Sequence, residues 1–222
     1  MNKTIGILGL GIFGSTIAKE LGSQDHSVIA VDRLESNVDR VEQYLVKGVV
    51  GDFTDYELLK SIGIDQCDRV VIATGTSLEA SVLAIMCLKK LGVKEIIAKS
   101  KNRTYMDIML EVGATQVIRP EHEMGIRTAR SLIKHHILDV IDLDDTMSII
   151  EFKAPKSWLG KTVKELDLRK KYELNVIGIK YDSDSPIDYT MANDTIIEKG
   201  SILVVITNSD RFERLDYLNK IK

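Results

Sequence analysis

The sequence predicts an α/β protein in which a doubly wound parallel sheet is followed by a small α+β domain. Three observations carry that expectation. The first is the run Thr4-Ile5-Gly6-Ile7-Leu8-Gly9-Leu10-Gly11-Ile12-Phe13-Gly14, an apolar strand that enters a glycine-rich turn and a helix. The second is Asp32, a lone acid closing the apolar run Val28 to Val31. The third is the alternation of short apolar runs with helical patterns up to Ile118, and its change of style after the acidic stretch Asp142-Leu143-Asp144-Asp145.

Taken in order, strands are expected at Thr4 to Leu8, Ser27 to Val31, Gly48 to Val50, Arg69 to Ala73, Glu95 to Ala98 and Gln116 to Ile118. Helices are expected between them, at about Gly11 to Leu21, Ser36 to Leu45, Asp55 to Ser61, Ser77 to Leu91 and Arg103 to Glu111. The strands are mostly apolar rather than alternating, as strands buried on both faces of a parallel sheet are. From Glu123 to about Leu143, Met124, Ala129, Leu132, Ile133, Ile137 and Val140 fall near helical spacing, with Leu138 and Ile141 widening the apolar face. That segment reads as one amphipathic helix suited to a partner subunit or to burial within the chain. Beyond it, strands at Ser148 to Lys153, Val176 to Tyr181 and Ile202 to Ile206 accompany a short helix at Thr162 to Leu166 and a terminal one at Asp210 to Asn219. The expected division is therefore 1–122, a connecting helix 123–143, and 144–222.

The glycine triplet and the acid together form a Rossmann-like dinucleotide-binding fingerprint. Gly9 permits the sharp turn off the strand, Gly11 lets a phosphate approach the backbone, and Gly14 lets the helix lie close on the sheet. Backbone amides and the positive helix end then face the phosphates. Asp32 would accept hydrogen bonds from ribose hydroxyls and oppose a 2′-phosphate, which favours ADP, ATP or NAD over NADP, although the neighbouring Arg33 offers a counter-charge. Ligands of such sheets lie beyond the carboxyl ends of the strands. The residues there are Asp32, Gly51-Asp52, Thr74-Gly75-Thr76, Lys99 and Pro120-Glu121.

Thirty basic and thirty-three acidic residues in a chain of 222 give a net charge of −3, and no basic block suggests a nucleic-acid surface. No apolar stretch is long enough to span a bilayer, and Met1-Asn2-Lys3 leads into a strand without a signal-peptide pattern, so a cytoplasmic protein is expected. Cys67 and Cys87 read as reduced, partly buried thiols. His26, His122, His135 and His136 lack an acid–base partner set, and Ser15 lacks a nucleophile-elbow context, so a small NAD-dependent oxidoreductase is the weaker reading. A nucleotide-sensing repressor would need a basic helix-turn-helix, for which no segment remains.

The chain resembles the regulator-of-potassium-conductance family, the cytoplasmic regulatory subunits of bacterial Ktr/Trk potassium uptake systems. Residues 9–14, Val31-Asp32, Gly51-Asp52, Asp68-Arg69-Val70-Val71-Ile72-Ala73-Thr74, Lys99 with Asn102-Arg103, and Gly113-Ala114 carry the resemblance. So do Val117-Ile118-Arg119-Pro120-Glu121, Leu159-Gly160-Lys161-Thr162 and Leu166-Asp167-Leu168-Arg169. The resemblance implies a nonenzymatic switch that binds ATP, ADP or NAD(H). In it Asp32 meets the ribose, Asp52 and Phe53 lie by the adenine, Thr74 to Ser77 edge the crevice, and Lys99 and Arg103 approach phosphates. Glu121 matches a position that helps hold Mg²⁺ or Ca²⁺ beside the nucleotide. Ile12 stands where some relatives carry an arginine. The C-terminal domain implies a second ligand, cyclic di-AMP, at Asp167, Leu168, Arg169 and Asn175 with Val163 and Ile177 as apolar walls. The implied partners are a potassium-translocating membrane subunit, which places the chain at the inner face of the membrane, and further copies of the chain, dimers building an octameric ring.

Overall fold

A computed structural model describes residues 2–75, 77–133, 137–144, 146–209 and 211–212, and the chain divides into two compact units, 1–123 and 124–222. The first unit alternates strands and helices from the start: β1 (Thr4–Leu8), α1 (Ile12–Ser23), β2 (Ser27–Asp32), α2 (Glu35–Asp39), β3 (Lys47–Val50) and α3 (Tyr56–Ser61). It continues through β4 (Arg69–Ile72), α4 (Leu78–Lys90), β5 (Ile96–Lys99), α5 (Arg103–Val112), β6 (Gln116–Ile118) and the start of α6 (Pro120–Ile133). The six strands are all parallel in the order β3-β2-β1-β4-β5-β6.

Alternate side chains of each strand feed two cores, as the two-residue strand repeat requires. Val70 and Ile72 of β4 point into the layer with Ile85, Leu88, Ile96 and Met109, whereas Val71 joins Ile5, Ile7, Leu10 and Ala18 on the opposite face. Both faces are therefore apolar, which is why the strands read as continuous hydrophobic runs. The order in which strands are added reverses between β1 and β4, the first three strands running one way along the sheet and the last three the other. This is the switch point at which such sheets open a crevice.

Two expected helices are shorter than their periodicity suggests. The segment expected at 36–45 is helical only over α2, followed by a 3₁₀ turn at Glu42–Tyr44 that delivers Tyr44 against α1, where a Cβ on Gly22 would lie 2.4 Å from the Tyr44 carbonyl oxygen. The helix expected to run to residue 143 ends at Ile133, and residues 137–142 form a strand, β7 (Ile137–Asp142). The reason is a β-bulge: Ile137 faces Phe152 and Asp139 faces Glu151, so Leu138 is an extra residue in its strand. The insertion puts Ile137 and Val140, three apart, on the same core-facing side, and so mimics the spacing of a helix face. His135 and His136 lie outside the described residues.

The second unit is built on an antiparallel sheet ordered β7-β8-β10-β9, with β8 at Met147–Lys153, β9 at Asn175–Lys180 and β10 at Ile202–Asn208. Two short helices cross over it, α7 (Val163–Leu166) and α8 (Leu168–Tyr172), of which only α7 was expected. Thr162 and Glu165 form a reciprocal capping box at the start of α7. Phe152, Trp158, Leu166, Leu168, Ile179, Leu203 and Phe212 share the core of this unit. Of the terminal helix expected at 210–219, only Arg211 and Phe212 are described, and both are helical.

Cys67 and Cys87 are both free thiols, and burial pushes the Cys67 thiol up to about 11. No helix among the described residues is long and apolar enough to cross a membrane.

Gly14 is fixed by space rather than by backbone conformation. A Cβ there would sit 1.9 Å from the Gly9 carbonyl oxygen and 2.9 Å from the Ala73 Cβ, so neither neighbour is a flexible side chain able to yield. At Gly11 a Cβ would meet nothing within 4 Å. Gly14→Ala should therefore lower unfolding stability by about 1–3 kcal/mol or prevent folding, whereas Gly11→Ala should cost less than about 1 kcal/mol. Urea unfolding of the two variants checks the contrast.

Candidate functional site

The crevice begins where β1 ends. Gly9 adopts φ +98°, a conformation that favours glycine, and its amide donates to the Val31 carbonyl at 2.8 Å, turning the chain toward β2. Gly11 caps α1 without any side chain, so the first-turn amides have no capping oxygen. With no acid in that first turn, the positive end of α1 is left uncompensated by its own side chains. Ile12 projects into solvent at 88% exposure.

Asp32 closes β2 and is only 8% exposed. Its Oδ2 accepts the Leu10 amide at 2.6 Å, and its Oδ1 accepts the Leu34 amide at 2.9 Å and the Asn37 side-chain amide at 3.1 Å. Arg40 completes the arrangement by donating to the Leu10 carbonyl at 2.9 Å and to the Asn37 side-chain oxygen at 3.1 Å. Both backbone polar groups of Leu10, in the middle of the glycine loop, are thus held by β2 and the helix after it. A carboxylate has about four lone-pair positions, so the three donors leave Asp32 room for one further partner.

Arg33 and Asp52 form an ion pair of 2.7 Å, and the Arg33 guanidinium lies 6.0 Å from the centre of the Phe53 ring. The amide and hydroxyl of Thr54 donate to Asp52, and these bonds, with a lesser contribution from Arg33, hold its carboxyl below the usual range. Gly51 donates its amide to the Asp32 carbonyl at 2.9 Å. The Phe53 side chain belongs to the buried core, and only its ring surface under Arg33 faces this end of the sheet.

On the other side of the switch point, a Cβ on Gly9 would lie 3.5 Å from the Thr74 amide nitrogen, and one on Gly75 would lie 3.5 Å from the Lys99 Cε. The Lys99 ammonium lies 5.7 Å from the Phe13 ring centre and is paired with Glu121. The hydrogen bond from Lys99 is the main reason the Glu121 carboxyl is held low. That pair therefore persists at neutral pH and is lost only as Glu121 is protonated in acid. Ser77 caps α4 by accepting the Ala80 amide, and Thr76 lies outside the described residues. Arg103, in the first turn of α5, is exposed and makes no ion pair among the described residues. The fold thus gathers Gly9, Gly11, Phe13, Asp32, Asp52, Thr74, Gly75, Lys99 and Glu121 at one end of the sheet.

In the second unit, Asp167 sits between α7 and α8 with φ +45°, in the left-handed region, and lies 4.0 Å from the Lys170 ammonium. Arg169, Asn175 and Ile177 are exposed, and Val163 is half-buried. Leu168 differs from these in burial. Its side chain is 2% exposed and packs in the core, because α8 turns its one apolar face inward.

Residues 5–120 match the TrkA-N domain, and residues 147–218 match the TrkA-C domain. The chain is a member of the TrkA family of potassium uptake proteins. This TrkA-type chain is 32% identical over 216 residues to the Ktr system potassium uptake protein C of Bacillus subtilis (strain 168), covering 96% of this chain and 97% of that protein. It is 33% identical to the Ktr system potassium uptake protein A of the same organism, over 97% and 96% of the two chains. The Ktr system potassium uptake protein A of Vibrio alginolyticus is 30% identical over 221 residues, 100% of this chain and 97% of that one. These relatives are named as potassium uptake proteins and not as enzymes. Among solved structures, the RCK domain of GsuK has the same fold, with a TM-score of 0.66 at 21% identity over 98% of this chain and 48% of that one. The GsuK channel bound to NAD gives 0.65 at 21% identity over 98% and 39%.

Asn37, Arg40 and Thr54 of the TrkA-type chain hydrogen-bond to Asp32, Leu10 and Asp52, and the sequence alone did not single them out. Their only sequence signal is position, within a few residues of Asp32 and Asp52, in segments of ordinary polar composition. Asp32→Ala would leave the Leu10 amide without a partner at a buried position. It should lower stability by about 1–3 kcal/mol, read as a shifted urea midpoint with an unchanged slope, in addition to any effect on ligands.

Proposed function

We propose that this chain is the nucleotide-binding regulatory subunit of a potassium uptake channel or transporter, working at the cytoplasmic face of the membrane through a potassium-translocating partner. The observation that carries this reading is the meeting of a nearly buried carboxylate, Asp32, with an uncapped helix end at Gly11, in a chain matching Ktr proteins over its whole length.

The ligand in this reading is ATP, ADP or NAD(H). Its phosphates lie on the amides of Ile12, Phe13 and Gly14, where Gly11 leaves open space. A ribose hydroxyl donates to the remaining lone pair of Asp32. Arg33 is committed to Asp52 rather than free to meet a 2′-phosphate, which supports NAD over NADP. Lys99, with the exposed Arg103 nearby in sequence, supplies positive charge on the far side of the switch point. Mg²⁺ or Ca²⁺ bound with the phosphates has to share Glu121 with the Lys99 ammonium. In the second domain Arg169 and Asn175 bind cyclic di-AMP, with Val163 and Ile177 as walls and Asp167 orienting the arginine. Copies of the chain form dimers and then a ring, an octamer by the family pattern. Ligands act on transport by favouring one arrangement of that ring, which requires unequal affinity for the arrangements.

Calorimetry on the full chain tests the reading. ATP, ADP or NAD(H) should bind, NADP should bind at least about tenfold more weakly, and Gly11→Val should abolish nucleotide binding while the protein stays folded. Arg169→Ala should remove cyclic di-AMP binding alone. Absence of heat with every adenine nucleotide would overturn the proposal.

A further inference from the structure

Leu10, Asp32, Asn37 and Arg40 close a ring of hydrogen bonds behind the glycine loop. The Leu10 amide donates to Asp32 Oδ2 at 2.6 Å, and the Asn37 side-chain amide donates to Asp32 Oδ1 at 3.1 Å. Arg40 donates to the Asn37 side-chain oxygen at 3.1 Å and to the Leu10 carbonyl at 2.9 Å. Chemistry permits Asn37 only one orientation in this ring. A carboxylate only accepts and a guanidinium only donates, so the amide nitrogen must face Asp32 and the amide oxygen must face Arg40. Turning the amide over would set oxygen against oxygen at one end and donor against donor at the other. Asn37 is therefore held at both ends, by partners that are themselves tied to Leu10.

The ring decides, oxygen by oxygen, what Asp32 has left for a ligand. Its Oδ1 accepts the Leu34 amide at 2.9 Å as well as Asn37, so both lone pairs of that oxygen are in use. Its Oδ2 accepts the Leu10 amide, which leaves a single place. A ribose presents two neighbouring hydroxyls, and a carboxylate that grips both needs two free lone pairs. Asp32 can meet one hydroxyl and not the other. Of the two donors on Oδ1, the Leu34 amide belongs to the backbone, whereas the Asn37 amide is a half-buried side chain in α2 that a substitution can remove. In the absence of ligand the Asn37 bond also keeps a nearly buried acid from standing with an empty position, which is costly away from water.

We infer that Asn37 sets the sugar specificity of the crevice: by filling the second place on Asp32 it limits recognition to a single ribose hydroxyl, so adenine nucleotides that lack one of the two bind as the parent ribonucleotide does. The inference rests on the reading of this crevice as a nucleotide site. Asn37 acts through Asp32, as a positioning residue, and makes no contact of its own with the sugar. A neutral loss at the sugar is thereby tolerated, whereas a 2′-phosphate still meets the charge of Asp32.

Calorimetry on the full chain compares ADP, 2′-deoxy-ADP and 3′-deoxy-ADP in the wild type, in Asn37→Ala and in Asn37→Ser. In the wild type the three Kd values should agree within about threefold, because no second hydroxyl finds an acceptor on Asp32. Both substitutions free a lone pair on Oδ1, Ala by truncation and Ser because its hydroxyl is too short to replace the amide. ADP should then bind at least about fivefold tighter than to the wild type, while both deoxy analogues keep their wild-type Kd. The readout is the ratio between ligands, which a general loosening of α2 does not move. The inference is overturned if the wild type binds ADP more than about threefold tighter than both analogues, if the ratio in the folded variants equals that of the wild type, or if all three ligands weaken together. In each of those outcomes ADP still binds and the nucleotide reading stands. Absence of heat with all three ligands in the wild type would bring down both.

Discussion

The architecture of the N-terminal unit turns on one carboxylate taken out of water. Asp32 is held at the end of β2 by three donors from three different places: the glycine loop, the turn that follows it, and α2. A buried acid without such partners would be costly, and with them it becomes the point to which a flexible glycine-rich segment is tied. Arg40 secures the same loop through its carbonyl, so the loop is fixed both by hydrogen bonds to its middle residue and by the burial of that residue's side chain in the core. An acid that a sequence reading assigns to ligand recognition therefore has a prior structural duty, and a ligand must use the capacity the protein leaves over.

Much of this fold is visible in the amino-acid sequence because a parallel sheet covered on both faces demands continuous apolar strands, and these stand out between glycine and acidic punctuation. The glycine loop was legible for the same reason: Gly9 and Gly14 answer to a positive φ and to a close approach that few other residues satisfy. What was hidden depends on register and on side-chain reach. The bulge at Leu138 shifts two apolar residues into helical spacing within a strand, so a period of three to four misled where tertiary pairing decided. The five-residue α8 has too few turns to show a periodicity, and so the burial of Leu168 in the core was not legible from its spacing. Asn37 and Arg40 act through hydrogen bonds whose partners are fixed only once β1 and β2 lie side by side.

The two halves of the chain use different means to stay folded. The first has two hydrophobic layers around a six-stranded sheet, with polar interactions concentrated at one end. The second is smaller, has a single core, and relies on aromatic contacts among Phe152, Trp158, Tyr172 and Phe212 together with the capping box at Thr162. Membership of the TrkA family fits this pairing of a nucleotide-type sheet with a compact antiparallel module.

The contact at Gly14 has a mechanical consequence. Helix and loop touch there backbone to backbone, with no compressible side chain to act as a cushion. A push delivered to the amino end of α1 meets no slack before it reaches β1 and β4. The helix behaves as a stiff lever whose fulcrum lies a single turn from the place where force is applied, so small displacements at its tip are passed on to the central strands rather than dissipated in rotamer changes.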